Sequence, residues 1–243
     1  MKFVNCTWEE SNLGKKTCEV TLSTEDDDSC LNQVKTHETE FGYIVCKVPD
    51  CRISLYKELS QLGYYFVENQ ISITYRQTTN PRMGKLAKRY LEKIILKPVQ
   101  DKDGMEYILS KIGENLFFTD RIALDPSFGI EQANKRYANW IRNTYGNPEY
   151  DLFEICLNDK AIGFSYFKTN SDTTDYLLAG LYPEYQSSGF GVMIPLASVS
   201  FITARGIKHI ETSISSNNIN VVRCYMECGF DIQKMTYVFA KVK

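Results

Sequence analysis

The sequence predicts an α/β fold in which a mixed central sheet with flanking helices follows a small α/β unit. Short apolar runs rich in β-branched residues alternate with segments of helical periodicity along the 243 residues. Asn158–Lys160 separates two strand-like runs as a hairpin signal, and Gly189 and Gly191 separate a strand-like run from a long apolar helix. The alternation and these two junctions together favour the α/β class.

Composition is that of a globular chain and excludes several function classes. Hydrophobic residues make up 43% and charged residues 24%, with a net charge of −2, so overall charge gives no basis for binding nucleic acid or an anionic membrane. The opening residues MKFVNCTWEE lack the apolar run of a signal peptide, and no stretch approaches about 20 apolar residues. The eight cysteines lack C-x-x-C spacing. We expect a cytosolic chain with free thiols, although an even number is also compatible with disulfides.

Residues 1–85 are expected to form a small α/β domain and its linker. The expected elements are a strand over Lys16–Leu22, a loop over Ser23–Ser29, a strand over Gly42–Val48, a helix from Ser54 to Leu62 that Gly63 ends, a strand over Tyr64–Tyr75, and a linker over Arg76–Lys85. The basic run from Arg82 to Lys93 is interpreted as a solvated linker or helix face, because the near-neutral chain argues against nucleic-acid binding.

Residues 86–243 are expected to form the main domain. Its expected elements are a strand over Ile94–Val99, a helix capped by Asp101 that runs to Ile112, an amphipathic helix over Glu131–Tyr145, strands over Tyr150–Leu157 and Ala161–Phe167, a strand that ends near Leu181, the apolar helix, a strand over Lys208–Ser215, a helix opened by Asn218, and a strand over Asp231–Val242.

Two motifs in the second half carry the chemistry. Gln186–Gly191 has the pattern Q-x-x-G-x-G, and Asn218–Phe230 has the pattern N-x6-Y-x3-G-F. Glycines let a backbone approach a ligand closely, and a helix N-terminus with free amides binds phosphate. The alternative for the glycine motif is a tight strand-to-helix turn that needs glycine for packing.

The two motifs together resemble the acyl-CoA-binding half of the GNAT N-acetyltransferase superfamily, over about Leu91–Lys243. This resemblance implies a GNAT fold, acetyl-CoA as co-substrate, a primary amine on a small molecule as acceptor, and no metal. Neither His37 nor His209 has a metal-like partner spacing. The resemblance assigns cofactor binding to the strand and loop residues Leu181, Gln186, Ser187, Ser188, Gly189, Phe190, Gly191 and Val192, and to Asn218.

The resemblance also gives Tyr225 the role of general acid for the departing thiolate, with a buried core aromatic as the alternative. Asn218 is suited both to capping a helix and to contacting the CoA arm. No general base stands out in the sequence. Pro195 removes an amide early in the apolar helix, so we expect a bend there beyond the phosphate-facing turn.

The segments YIVCKVP in the first half, DRIALDP (Asp120–Pro126) and RYANWIRN (Arg136–Asn143) are similar to segments of the dTDP-fucosamine acetyltransferases of this superfamily, which acetylate a nucleotide-linked amino sugar. This narrower resemblance implies substrate contacts from Arg121, Asp125 and Lys135. Two other functions stay open: acetylation of a peptide or protein amine, and non-catalytic acyl-CoA binding. The oligomeric state is not predicted.

Overall fold

The computed structural model describes residues 1–26, 29–77 and 89–243. Its strands are β1 (Lys2–Asn5), β2 (Thr17–Thr21), β3 (Tyr43–Pro49), β4 (Tyr65–Arg76), β5 (Ile94–Pro98), β6 (Tyr150–Leu157), β7 (Lys160–Asn170), β8 (Thr173–Leu181), β9 (His209–Ser215) and β10 (Asp231–Val242). Its helices are α1 (Thr7–Leu13), α2 (Cys30–His37), α3 (Ile53–Gln61), α4 (Lys102–Gly113), α5 (Arg121–Leu124), α6 (Ile130–Thr144), α7 (Met193–Ala204) and α8 (Ile219–Glu227).

The strands form one sheet in the order β1-β2-β3-β10-β4-β9-β8-β7-β6-β5. The pairs β2–β3 and β8–β9 are parallel, and the other neighbours are antiparallel. The C-terminal strand β10 lies between β3 and β4, whereas β4 lies between β10 and β9. The last strands of the two halves are therefore exchanged: β10 pairs with β3 of the first half, and β4 pairs with β9 of the second half.

The two halves share a repeated topology. The order β2-α2-β3-α3-β4 in the first half matches β8-α7-β9-α8-β10 in the second. In both copies a helix ends at a glycine with positive φ, Gly63 at 83° and Gly229 at 88°. Four residues before that glycine the first copy has Leu59 and the second has Tyr225. The first copy therefore lacks the phenol that the second one carries.

Helices cover both faces of the sheet. On one face α7 and α8 pack against β4 and β9, where Leu196, Val199 and Tyr225 contact Ile73 and Ile210 in a single buried cluster. On the other face α4 and α6 pack against β6, β7 and β8. The short α1 and α5 extend this second layer over β3, β4 and β10. We call the face that α7 and α8 cover the helix face, and the face that α1 and α4–α6 cover the opposite face.

The elements named in the sequence analysis form close to their expected bounds. Asp101 caps α4 by accepting from the Gly104 amide at 2.8 Å, and the hairpin turn places Asn158 and Asp159 at φ of 48° and 64°. Four elements were not predicted: β1, α1, α2 and α5. Most of the expected linker and the boundary at residue 85 lie outside the described residues. Within the described part of the chain, the structure contains no helix both long and apolar enough to span a bilayer.

Candidate active site

A gap between β8 and β9 forms the centre of the site. The two strands pair in parallel only over Thr173–Asp175 with His209–Glu211, although β8 continues to Leu181 and β9 to Ser215. The Thr212 hydroxyl donates to the Tyr176 carbonyl at 2.7 Å just beyond the last paired residues. From there the strands diverge, so the edge of β8 that faces β9 is open to an extended ligand.

A β-bulge lies in β8 at the start of this gap. Tyr166 pairs with Leu178 and Phe167 with Tyr176, so Leu177 has no partner on β7. Because of the extra residue, Tyr176 packs on the helix face whereas Leu178 packs on the opposite face. Bulges free a backbone amide and occur often beside active sites. The strand thus contains a bulge, and it lies at Leu177.

A cavity of about 830 Å³ lies where the N-terminal half meets this gap. Its wall includes Leu178 and Ala179 of β8, Tyr225 of α8, and Glu68 of β4. Its volume is in the range of small-molecule sites. Six acidic and four basic side chains among the described residues line it, so these side chains give the wall a net negative charge.

The glycine loop lies at the surface between β8 and α7. Ser187 and Gly189 have φ of 63° and 80°, and a 3₁₀ turn over Phe190–Val192 leads into α7. The Ser188 amide donates to the Tyr185 carbonyl at 3.3 Å, whereas the amides of Gly189 and Gly191 have no partner in the described chain. The amides of Gly189 and Gly191 are therefore available to a ligand.

The loop is held against α8 from the second motif. A Cβ placed on Gly191 would meet only the Cys224 sulfur, at 3.8 Å, which is ordinary contact. The Cys228 thiol lies 3.8 Å from the Val192 carbonyl. The protein's own packing therefore does not require glycine at position 191, and close approach of a ligand is the remaining reason for it.

Pro195 does not remove a hydrogen bond from α7. The helix begins at Met193, so Pro195 lies in its first turn, where backbone amides have no intrahelical acceptor. The sequence-based expectation of a bend assumed a helix that began nearer Gly191. The 3₁₀ turn instead separates the loop from α7, and the proline fits the helix start.

Tyr225 lines the cavity and is held by aromatic neighbours. Its ring lies 4.8 Å from that of Phe230 and 5.9 Å from that of Tyr176, both edge to face. The Tyr176 hydroxyl is fixed by Ser165 at 3.0 Å and Ser198 at 2.9 Å. Burial, together with Tyr176, raises the pKa of Tyr225 well above its usual value. The phenol therefore keeps its proton at neutral pH and can donate it.

Asn218 lies between the gap and the segment before α5. Its side-chain oxygen accepts from the Val221 amide at 3.3 Å and caps α8, as the sequence predicted. Its side-chain nitrogen donates to the Thr119 hydroxyl at 3.3 Å. Both residues line the cavity, so this contact joins the second sequence motif to the opposite face of the sheet.

The three residues suggested as substrate contacts lie in different environments. Arg121 lines the cavity, and its Nη1 has no hydrogen-bond partner. Asp125 is buried away from the cavity wall and accepts from the Tyr65 hydroxyl at 2.9 Å and the Ser127 amide at 2.9 Å. Lys135 is exposed on α6 and is not part of the wall. The structure thus brings Arg121 alone of the three to the cavity.

A buried ion pair joins the two halves beside Arg121. Both oxygens of Glu9, on α1, accept from Arg136 Nε at 2.6 and 2.8 Å. Arg121 Nη2 lies 3.7 Å from the same carboxylate. Although burial opposes it, the contacts with Arg136 and Arg121 hold the pKa of Glu9 below its usual range. Glu9 is therefore a fixed anion that anchors α1 to α6.

Glu68 is a site residue that the sequence analysis did not single out. It is 5% exposed on β4, lines the cavity, and its Oε2 has no hydrogen-bond partner. A sequence signal existed: Glu68, Gln70, Ser72 and Thr74 are polar residues at alternate positions of an otherwise apolar strand, which marks one strand face as polar. No group of side chains suited to a metal ion occurs in residues 1–26, 29–77 and 89–243.

Solved structures of similar shape identify the fold. The chain is similar to a GCN5-related N-acetyltransferase from Sphaerobacter thermophilus, with a TM-score of 0.68 and 12% identity over 99% of this chain and 75% of that one. A second such protein, from Kribbella flavida, gives a TM-score of 0.56 and 10% identity over 93% and 80% of the two chains.

A tandem GNAT protein from the clavulanic acid biosynthesis pathway gives a TM-score of 0.55 and 9% identity over 93% of this chain and 75% of that one. No protein-family model and no curated protein matches the chain. The protein has the fold of the GCN5-related N-acetyltransferases, the GNAT fold that the motifs predicted. At these identities the likeness defines the fold.

Proposed function

We propose that the protein is an N-acetyltransferase that moves an acetyl group from acetyl-CoA to a primary amine of a small molecule in the cytosol. The single observation that carries the proposal is the gap between β8 and β9, with Tyr225 in its wall and the glycine loop beyond its end. An extended thioester arm fits the open edge of β8, and a pyrophosphate fits the amides of Gly189 and Gly191.

Each proposed role follows from the position of a group. The edge of β8 at the Leu177 bulge supplies a backbone amide for the oxyanion that forms on the thioester carbonyl. Tyr225 donates its proton toward the sulfur as the carbon–sulfur bond breaks. Gln186–Val192 bind the pyrophosphate, and Leu181 and Asn218 bind the arm between them. These groups account for binding and for the leaving group without a metal.

The shape and charge of the cavity favour a small, cationic acceptor. A volume of about 830 Å³ suits a small molecule better than a peptide that crosses the surface. The excess of acidic wall residues attracts an ammonium ion. A nucleotide-linked amino sugar, suggested by the narrower resemblance, needs cations for its diphosphate, and Arg121 is the cavity cation with an unpartnered nitrogen.

An acceptor panel tests the proposal. Purified protein with acetyl-CoA is given polyamines, amino sugars, dTDP-linked amino sugars, amino acids and lysine peptides, and free thiol and the mass of the product are followed. We expect amine-dependent thiol release with one class of small amine. Acetylation of peptides alone would support the peptide alternative. Binding of acetyl-CoA without turnover on any amine would support a non-catalytic module and refute the proposal.

A further inference from the structure

Through Glu68 on β4, the N-terminal half contributes a buried carboxylate to the wall of the cavity. Phe66 pairs with Phe239 and Glu68 with Val238, so Val67 is an extra residue in a β-bulge. Val67 and Val238 pack in the cluster under α5 and α6, and a residue directly opposite Val238 lies on that same face. The bulge thereby places the Glu68 side chain on the face opposite α7 and α8.

Tyr225 reaches the gap from the other side of the sheet. It packs on the helix face with Ile71 and Ile73, residues that alternate with Gln70 and Ser72 along β4. Tyr225 and Glu68 therefore line one cavity from opposite faces of the sheet. Amide formation can use two such groups, because the attacking nitrogen and the leaving sulfur are separate substituents of the reacting carbon and each exchanges a proton.

Three other carboxylates line the cavity near Glu68, the buried Glu9 and the half-buried Asp120 and Glu19, and each has at least one partner, although Oδ2 of Asp120 has none. Glu9 is bound by Arg136 through both oxygens. One oxygen of Asp120 caps α5 by accepting from the Ile122 and Ala123 amides at 2.9 and 2.8 Å. Glu19 pairs with Lys47 at 2.9 Å. Glu68 has no ion-pair partner in the described chain, although it is almost completely buried.

The charged groups around Glu68 leave its carboxylate in an unfavourable environment. Burial is the main effect that raises its pKa above the usual value, and the carboxylate of Asp120 adds to it. The hydroxyl of Ser215 on β9 and the cations Arg121 on α5 and Lys47 on β3 act in the opposite direction. Tyr137 of α6 also faces this group. A buried carboxylate in these surroundings is stabilised by an incoming cation, and it accepts a proton readily.

We propose that Glu68 binds the ammonium group of the acceptor and removes the proton that makes it a nucleophile. The inference rests on the proposed acetyltransferase function and narrows the acceptor to a primary amine that arrives as a cation. One N–H proton passes to the Glu68 carboxylate, and the freed electron pair forms the bond to the thioester carbon. The carbon–sulfur bond then breaks, and Tyr225 protonates the thiolate. The attacking nitrogen still carries one proton more than the amide product, and it releases this second proton through water, which restores the proton of Tyr225. The proton on Glu68 leaves to solvent.

A base is needed because the free amine is scarce. An alkyl ammonium has a pKa near 10.4, so at pH 7 about one molecule in 10³ is neutral. With a base on the enzyme, kcat/KM rises through the pKa of Glu68 and is then level up to the pKa of the amine. Without one, it rises about tenfold for each pH unit until the amine itself is neutral.

The test compares Glu68→Gln with Glu10→Gln over pH 6–10. Glu10 is an exposed carboxylate on α1 that lies outside the cavity wall, so it matches the change in charge without altering the site. At pH 7 we expect kcat/KM for the amine to fall about 10²-fold in Glu68→Gln and to stay near wild type in Glu10→Gln. The deficit should shrink toward pH 10, and the Kd of acetyl-CoA by calorimetry should be unchanged in both.

Several outcomes would overturn the role of Glu68. One is a Glu68→Gln profile parallel to the wild-type profile, with equal activity or an equal loss at every pH, because a merely structural residue gives that result. If Glu68→Gln does not fold, the wild-type profile decides, since a tenfold rise per pH unit from pH 6 excludes a base. A wild-type protein inactive with every amine contradicts the proposed function instead.

Discussion

Replacing Tyr225 with phenylalanine separates the proposed role of the hydroxyl as an acid from the role of the ring in packing. The ring contacts with Phe230 and Tyr176 stay, and only the hydroxyl is lost. A positioned acid contributes about 10²–10⁴-fold in rate, so we expect kcat to fall at least about 10²-fold, equivalent to about 2.7 kcal/mol in the barrier. The Kd of acetyl-CoA should not change, because the pyrophosphate site that we propose at Gly189 and Gly191 is untouched.

The assay is steady-state thiol release with saturating amine, combined with calorimetry and a thermal melt. Tyr75→Phe is the matched control, since Tyr75 packs 5.6 Å from Phe230 in the same buried cluster. We expect its kcat to stay near wild type. Wild-type turnover in a folded Tyr225→Phe protein would refute the acid role and leave Tyr225 as a core aromatic. Equal losses in both variants would also refute it, because they indicate altered packing.

The remaining predictions concern binding and stability. Gly191→Val should raise the Kd of acetyl-CoA at least tenfold in a protein that still folds, because a Cβ at this position meets only the Cys224 sulfur, at 3.8 Å. Gly113→Val, at a glycine of α4 where an added Cβ also meets nothing within 4 Å, should leave that Kd unchanged. Asn134→Ala should lower the free energy of unfolding by about 1–3 kcal/mol, since Asn134 bonds both backbone groups of Phe117 at 2.8 and 2.7 Å. Glu68→Gln should raise the melting temperature at pH 8. A raised folded-state pKa means that the ionised form costs stability above that pKa, and this cost, absent in glutamine, should vanish as the pH falls below the usual value of 4.5.

The local parts of the site were predictable from sequence. The glycine motif with a helix behind it, and the Asn218 cap seven residues before Tyr225, are short-range patterns set by backbone conformation and helix spacing. The hairpin at Asn158 and the Asp101 cap are of the same kind. Each depends on residues a few positions apart, so the sequence contains all the information that fixes it.

The long-range parts were not predictable in this way. The insertion of β10 between β3 and β4 joins residues near both ends of the chain, and no local pattern encodes which strands become neighbours. Glu68 depends on that insertion, because it gains its place in the cavity from the pairing with Val238 and from the bulge at Val67. The resemblance suggested that Asp125 contacts the substrate, but its carboxylate accepts hydrogen bonds from the hydroxyls of Tyr43 and Tyr65 in the other half.

The central claim is that acetyl-CoA lies in the gap between β8 and β9 with its sulfur beside Tyr225. A crystal structure of the protein with CoA tests it most directly. The account predicts that the pyrophosphate is bound by the amides of Gly189 and Gly191, that the arm runs along β8 past the Leu177 bulge, and that the sulfur is within hydrogen-bonding distance of the Tyr225 hydroxyl. CoA bound elsewhere, or a sulfur remote from Tyr225, would contradict it.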